Sequence, residues 1–115
     1  MRKPEFRSAA GLLKVLGHPV RLKIVCGLLG EPANLTRIAK EMAMPISTLA
    51  QHLAVLRQAG VLGEERRGVE VLFHLADERV PAILRTLCSP ETAKGELPDW
   101  SWRELGRRGS PAQGR

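Results

Sequence analysis

Three features of the chain predict a mainly α fold with a small antiparallel β-wing. Apolar residues recur at helical spacings of three and four along most of the chain, with proline and glycine punctuating the segments. One stretch, 61–75, instead alternates at period two on either side of Arg67-Gly68. From Asn34 to Leu75 the order is helix, tight turn, helix, two-stranded ribbon, which is the arrangement of a winged helix-turn-helix.

After Pro4 a first helix runs to about Leu16, with Leu12, Leu13 and Leu16 on one side. His18-Pro19 marks a break, because the residue before proline avoids the helical region while proline suits a first helical position. A second helix follows from Pro19 to about Leu29, where Leu22, Val25, Cys26 and Leu29 share a face and Gly30 is the stop. The third starts near Asn34 or Leu35, and the small Ala39 lets another helix cross close over it. Pro45 cannot continue a helix but fits just before the next one. That helix spans Ile46 to Ala59, with Ser47 as cap, Ile46 fixing the entry of the chain and Gly60 as stop. Val61–Arg66 and Val69–Leu75 are the predicted strands, and Arg67-Gly68 is the reversal in which glycine supplies a positive φ. Asp77 caps a last helix through Cys88, with Pro81 in its first turn and Val80, Ile83, Leu84 and Leu87 as its apolar stripe.

At 115 residues the chain holds one domain at most. Residues 1–90 are read as a DNA-binding and dimerisation domain, and 91–115 as a flexible tail whose one candidate element is a helical turn around Trp100 to Leu105. So short a chain carries more apolar helix positions than its own interior needs. Leu12, Leu13 and Leu16 with Val80, Ile83, Leu84 and Leu87 are therefore the expected interface of a homodimer.

The balance of 18 Lys plus Arg against 12 Asp plus Glu gives a net charge of +6, which suits a polyanionic partner. No apolar run approaches the roughly 20 residues that span a bilayer, so no membrane role is expected. The basic N-terminus has no apolar signal core, and a cytoplasmic protein with its two cysteines reduced is expected. No nucleophile–base pair or glycine-rich phosphate loop stands at enzyme spacing. Neither a catalytic site nor a cofactor is assigned.

The fourth helix carries the most chemistry. Leu49, Leu53 and Leu56 form its apolar face, and the opposite face holds Ser47, Thr48, Gln51, His52 and Arg57. Hydroxyls, amides and imidazoles so placed reach base edges and phosphates when a helix lies in the major groove of double-stranded DNA. Arg66 and Arg67 at the ribbon tip are the candidates for contact with the flanking backbone. His18 reads as a local hydrogen-bonding group, and His74 lies in the wing strand.

Two motifs now carry a resemblance. Leu16-Gly17-His18-Pro19-Val20-Arg21-Leu22-Lys23-Ile24-Val25 resembles the opening signature of the ArsR/SmtB winged-helix repressors. The run from Ser47 to Leu62 resembles that family's S-x-x-S-x-H-L-x-x-L-x-x-A-G-L-V pattern, with Ala50 standing where the family often has serine. The resemblance covers about Leu12 to Pro90. It implies a homodimer built from the first and last helices, operator DNA as partner, and repression relieved by an inducer.

Which inducer depends on residues that differ within the family. The arsenic type has a C-x-C pair before the recognition helix, where this chain reads Asn34-Leu35-Thr36-Arg37-Ile38-Ala39. The zinc type has D-x-H and H-x-x-E on the last helix; here Asp77 is followed by Glu78 and Arg79, and no histidine follows His74. No metal site is assigned. Cys26 and Cys88 remain, and their placement resembles the persulfide-responsive SqrR/BigR type, except that Ser89 separates Cys88 from Pro90. That resemblance implies a redox-sensing dithiol, joined within one subunit by a disulfide or polysulfide when a reactive sulfur species arrives. Two readings stand beside it. One is a repressor induced by a thiophilic metal or metalloid at Cys26 and Cys88; the other is a thiol oxidoreductase or sulfur carrier. Buried cysteine also serves simply as a small hydrophobe.

Overall fold

The computed structural model describes residues 5–88. Pro4 and the proposed tail, 91–115, lie outside the described residues. The elements are α1 (Phe6–Leu16), α2 (Pro19–Leu28), β1 (Ala33–Asn34), α3 (Leu35–Met42), α4 (Ile46–Gln58), β2 (Leu62–Arg67), β3 (Glu70–Leu75) and α5 (Arg79–Cys88). The strands form one antiparallel sheet in the order β1-β3-β2, which leaves β2 at an edge. The fold is therefore the predicted one, mainly helical with a small wing.

Local capping chemistry explains most helix starts. The Glu5 carboxylate accepts from the Arg7 amide at 3.1 Å. His18 caps α2 through Nδ1, which accepts from the Val20 amide at 3.1 Å, and Pro19 opens the helix as expected. Asn34 Oδ1 accepts from the Arg37 amide at 2.8 Å and starts α3. Asp77 Oδ1 accepts from the Arg79 amide at 2.9 Å at the start of α5. Ser47 does not cap α4. Pro45 occupies that position with no side-chain cap bond, because Ile46 already has helical geometry and Ser47 is one residue inside.

The wing differs from expectation by one residue. Val61 is fully buried, and it donates back to Leu56 O and accepts from the Ala76 amide, so it serves the exit of α4 and β2 starts at Leu62. Arg67 pairs with Glu70, which makes Gly68-Val69 the two-residue reversal; Gly68 takes φ +62°. The two-residue β1 was not predicted. It pairs Ala33 with Phe73 and Asn34 with Leu72.

The core gathers Ile24, Val25, Ile38, Leu49, Leu56, Val61, Val80 and Leu84. α2 runs through its centre and packs against α1, α4 and β3. Its residues Ile24 to Leu28 are all buried, so it is covered all round rather than on one face. This corrects the proposed interface. Leu12, Leu16, Val80 and Leu84 belong to the subunit's own core, and Ile83 packs against it. Of that set only Leu13 and Leu87 are largely exposed, joined by Phe6.

Candidate nucleic-acid interface

α3 and α4 meet at a turn made by Ala43, Met44 and Pro45. Ala43 adopts a left-handed φ of 54°, and its amide bonds back to the end of α3. Below the turn Ile38, Ala39 and Leu49 are buried, so the two helices cross closely, as the small Ala39 requires. The seating of Leu49, Leu53 and Leu56 fixes which face of α4 is open. That open face presents Ser47, Thr48, Ala50 and Gln51, all exposed.

His52 sits differently. It is half-buried, and its ring lies 4.8 Å from that of His18, tilted by 55°. Because His18 Nδ1 accepts the Val20 amide, its neutral form carries the proton on Nε2. Burial, then the neighbouring His18 and Arg21, push the pKa of His52 down and favour its neutral form. The His18–His52 contact links the start of α2 to the recognition helix, a pairing that no spacing in the chain signals.

The arginines are not presented alike. Arg57 is exposed near the end of α4, with Nη1 3.2 Å from Glu64 Oε2 on β2. Arg67 donates from Nε to Glu65 Oε2 at 2.9 Å, a bond that lowers the Glu65 pKa. Arg66 is exposed and has no ion pair among the described residues. Glu70 accepts from Asn34 Nδ2 at 2.7 Å, so the residue that caps α3 also holds the wing. Neutral donors and acceptors on half a helix, beside a ribbon of paired charges, suit the hydrogen-bonding edges and phosphates of a nucleic acid.

A family profile described as a helix-turn-helix domain matches residues 16–64. The chain is 40% identical over 84 residues to the HTH-type transcriptional regulator YgaV of Escherichia coli, covering 70% of this chain and 82% of that one. It is 38% identical over 81 residues to the HTH-type transcriptional repressor SmtB of Mycobacterium tuberculosis, covering 70% and 60%. This chain belongs to the ArsR/SmtB family of winged-helix transcriptional regulators. Among solved structures, the transcriptional repressor BigR from Xylella fastidiosa superposes with a TM-score of 0.65 at 31% identity, over 74% of this chain and 88% of that one. These relatives are regulators with DNA-binding domains, not enzymes.

Neither cysteine belongs to α4 or the wing. Cys26 is buried on α2, in the core cluster that also contains Val80 and Leu84 of α5. Cys88 is the last residue of α5. Among the described residues no group of three or more His, Cys, Asp or Glu could hold a metal ion. No helix among them is long and apolar enough to cross a membrane.

Proposed function

We propose that this family member is a homodimeric repressor that releases operator DNA when Cys26 and Cys88 are bridged. The first half of α4 enters the major groove, with Ser47, Thr48 and Gln51 toward base edges. His52 orients the helix through His18 and offers the remaining edge of its ring to DNA. Arg57, Arg66 and Arg67 face phosphates. The exposed Phe6, Leu13 and Leu87 on α1 and α5 support dimerisation through those helices.

The observation that carries the sensing reading is the placement of the cysteines. One is buried in the last turn of the central helix, and the other closes the helix that shares its core. The Cys88 thiolate attacks the sulfane sulfur of a low-molecular-weight persulfide and releases the carrier thiol. The Cys26 thiolate then attacks the Cys88 sulfur of the new persulfide and expels hydrosulfide. The dithiol loses two electrons, the persulfide is reduced to thiol and sulfide, and a disulfide ties α2 to α5. Because α5 borders the dimer, the tie changes the spacing of the two recognition helices, and a coupling of about 1–3 kcal/mol is typical of such a shift.

The test treats the parent, Cys26→Ser and Cys88→Ser with a glutathione persulfide, followed by intact mass and operator binding. The parent is expected to lose two hydrogens in mass and to release DNA, and both variants to hold it. Variants that release DNA as the parent does would sink the mechanism. Release by one equivalent of arsenite or zinc, with no response to persulfide, would replace it with the metal reading.

A further inference from the structure

We propose that Glu65 determines DNA specificity by holding Arg67 in an ion pair that a phosphate must break. The proposal rests on the docking mode above.

The chain as a whole carries a charge of +6, but its wing does not share the surplus. Between Glu64 and Glu70 stand the carboxylates Glu64, Glu65 and Glu70 and the guanidiniums Arg66 and Arg67, so this stretch is slightly acidic. Each of those carboxylates is engaged. Glu65 accepts from Arg67 at 2.9 Å, Glu64 lies 3.2 Å from Arg57 of α4, and Glu70 accepts from Asn34. Period two along β2 puts Glu65 and Arg67 on one face of the edge strand, and Glu64 and Arg66 on the other. Each face of the ribbon therefore couples a guanidinium to a carboxylate next to it or across to α4, with Arg66 left over.

The consequence follows from how proteins bind DNA of any sequence. Such binding grows with the number of cations that replace condensed counterions. An arginine already neutralised by a carboxylate attracts a phosphate weakly, and engaging it leaves the carboxylate facing the polyanion. The Arg67–Glu65 pair is still open to exchange, because 61% and 47% of the two side chains remain exposed and such pairs are weak. Where α4 is seated by base contacts, the phosphate is held in register and displaces Glu65. On random DNA nothing holds the register, and the pair stays closed. Glu65 thus lowers background binding more than operator binding.

The experiment compares the parent, Glu65→Gln, Arg67→Gln and the double variant in salt titrations on an operator duplex and a random duplex. Both side chains are exposed, so the fold is expected to persist, and circular dichroism checks this. Glu65→Gln is expected to bind random DNA more tightly, with a plot of log affinity against log salt steeper by about one unit, the increment for one phosphate contact. The operator-to-random ratio falls. In the Arg67→Gln background the same change gives no gain, because the amide helps only through Arg67. A gain that persists in that background shows direct repulsion by Glu65 and overturns the proposal. So does an unchanged Glu65→Gln when Arg67→Gln alone flattens the slope. If Arg67→Gln leaves both duplexes unaffected, the docking of the wing fails, and the proposal fails with it.

Discussion

The recognition helix and the wing, the two parts of the proposed DNA interface, are built on opposite chemistry. The first half of α4 exposes uncharged hydroxyl and amide groups on a rigid helix, anchored by Leu49, Leu53 and Leu56. The wing exposes charges on an edge strand, ties Arg67 to Glu65 and Glu64 to Arg57 of α4, and leaves Arg66 outside any ion pair among the described residues. Neutral donors on a fixed scaffold read sequence, whereas charge gives affinity without sequence. In the proposed docking, pairing Arg67 with Glu65 restrains the second term so that the first can decide.

The strongest way to break this comparison is to loosen the anchor. Leu49 is fully buried beneath the open face. Leu49→Ala is expected to cost about 2–5 kcal/mol of stability, read from urea unfolding, and to impair operator binding more than random-DNA binding. Next comes the reading group itself. Gln51→Ala should cost about 1–3 kcal/mol at the operator and little on random DNA, measured by fluorescence anisotropy. Equal losses on both duplexes would mean that α4 contacts backbone rather than bases.

A smaller effect is expected at the turn that sets the angle of α4. Ala43 holds a left-handed φ of 54°, where its Cβ crowds the following carbonyl. Ala43→Gly should raise stability by about 1 kcal/mol, seen as a higher urea midpoint at unchanged slope. A lower midpoint would show that the turn tolerates the side chain without strain.

The mildest perturbation is pH. The pKa of His52 is depressed in the folded chain, so its contribution is fully present above the unfolded value of about 6.5. It is lost as pH falls through the lower folded value, when His52 takes up charge beside His18 and Arg21. Stability should therefore decline below about pH 6.5, and His52→Gln should flatten that decline in thermal melts across pH. A His18→Asn variant, which can still cap α2 but lacks the ring beside His52, tests whether that neighbour shapes the decline.

Local rules made much of this molecule legible. His18-Pro19 specified where α2 begins, since a proline there restricts the preceding residue and lacks only a donor the first turn does not need. The leucine spacing of α4 told its buried face from its open one, and Gly68 marked the reversal to within a residue. Two residues were misplaced by these rules, one by a competing neighbour in the chain and one by a contact far from it. Ser47 is a good cap by residue type, but the helix already begins at Ile46, as expected, and the cap position falls to Pro45. Val61 suits a strand, but the core takes it as the exit of α4.

Residue order alone settled periodicity, punctuation and the inventory of groups: the helices, the ribbon, the open polar face and the two cysteines. The tertiary structure alone decided which groups meet. It buried Leu12, Leu16, Val80 and Leu84 within one subunit, brought His18 against His52, paired Arg57 with Glu64 and added β1 to the sheet. The physical reason is that a helix stripe or an exposed charge states only a need for a partner. Which partner satisfies it depends on the crossing of elements far apart in the chain, and no short-range spacing encodes that crossing.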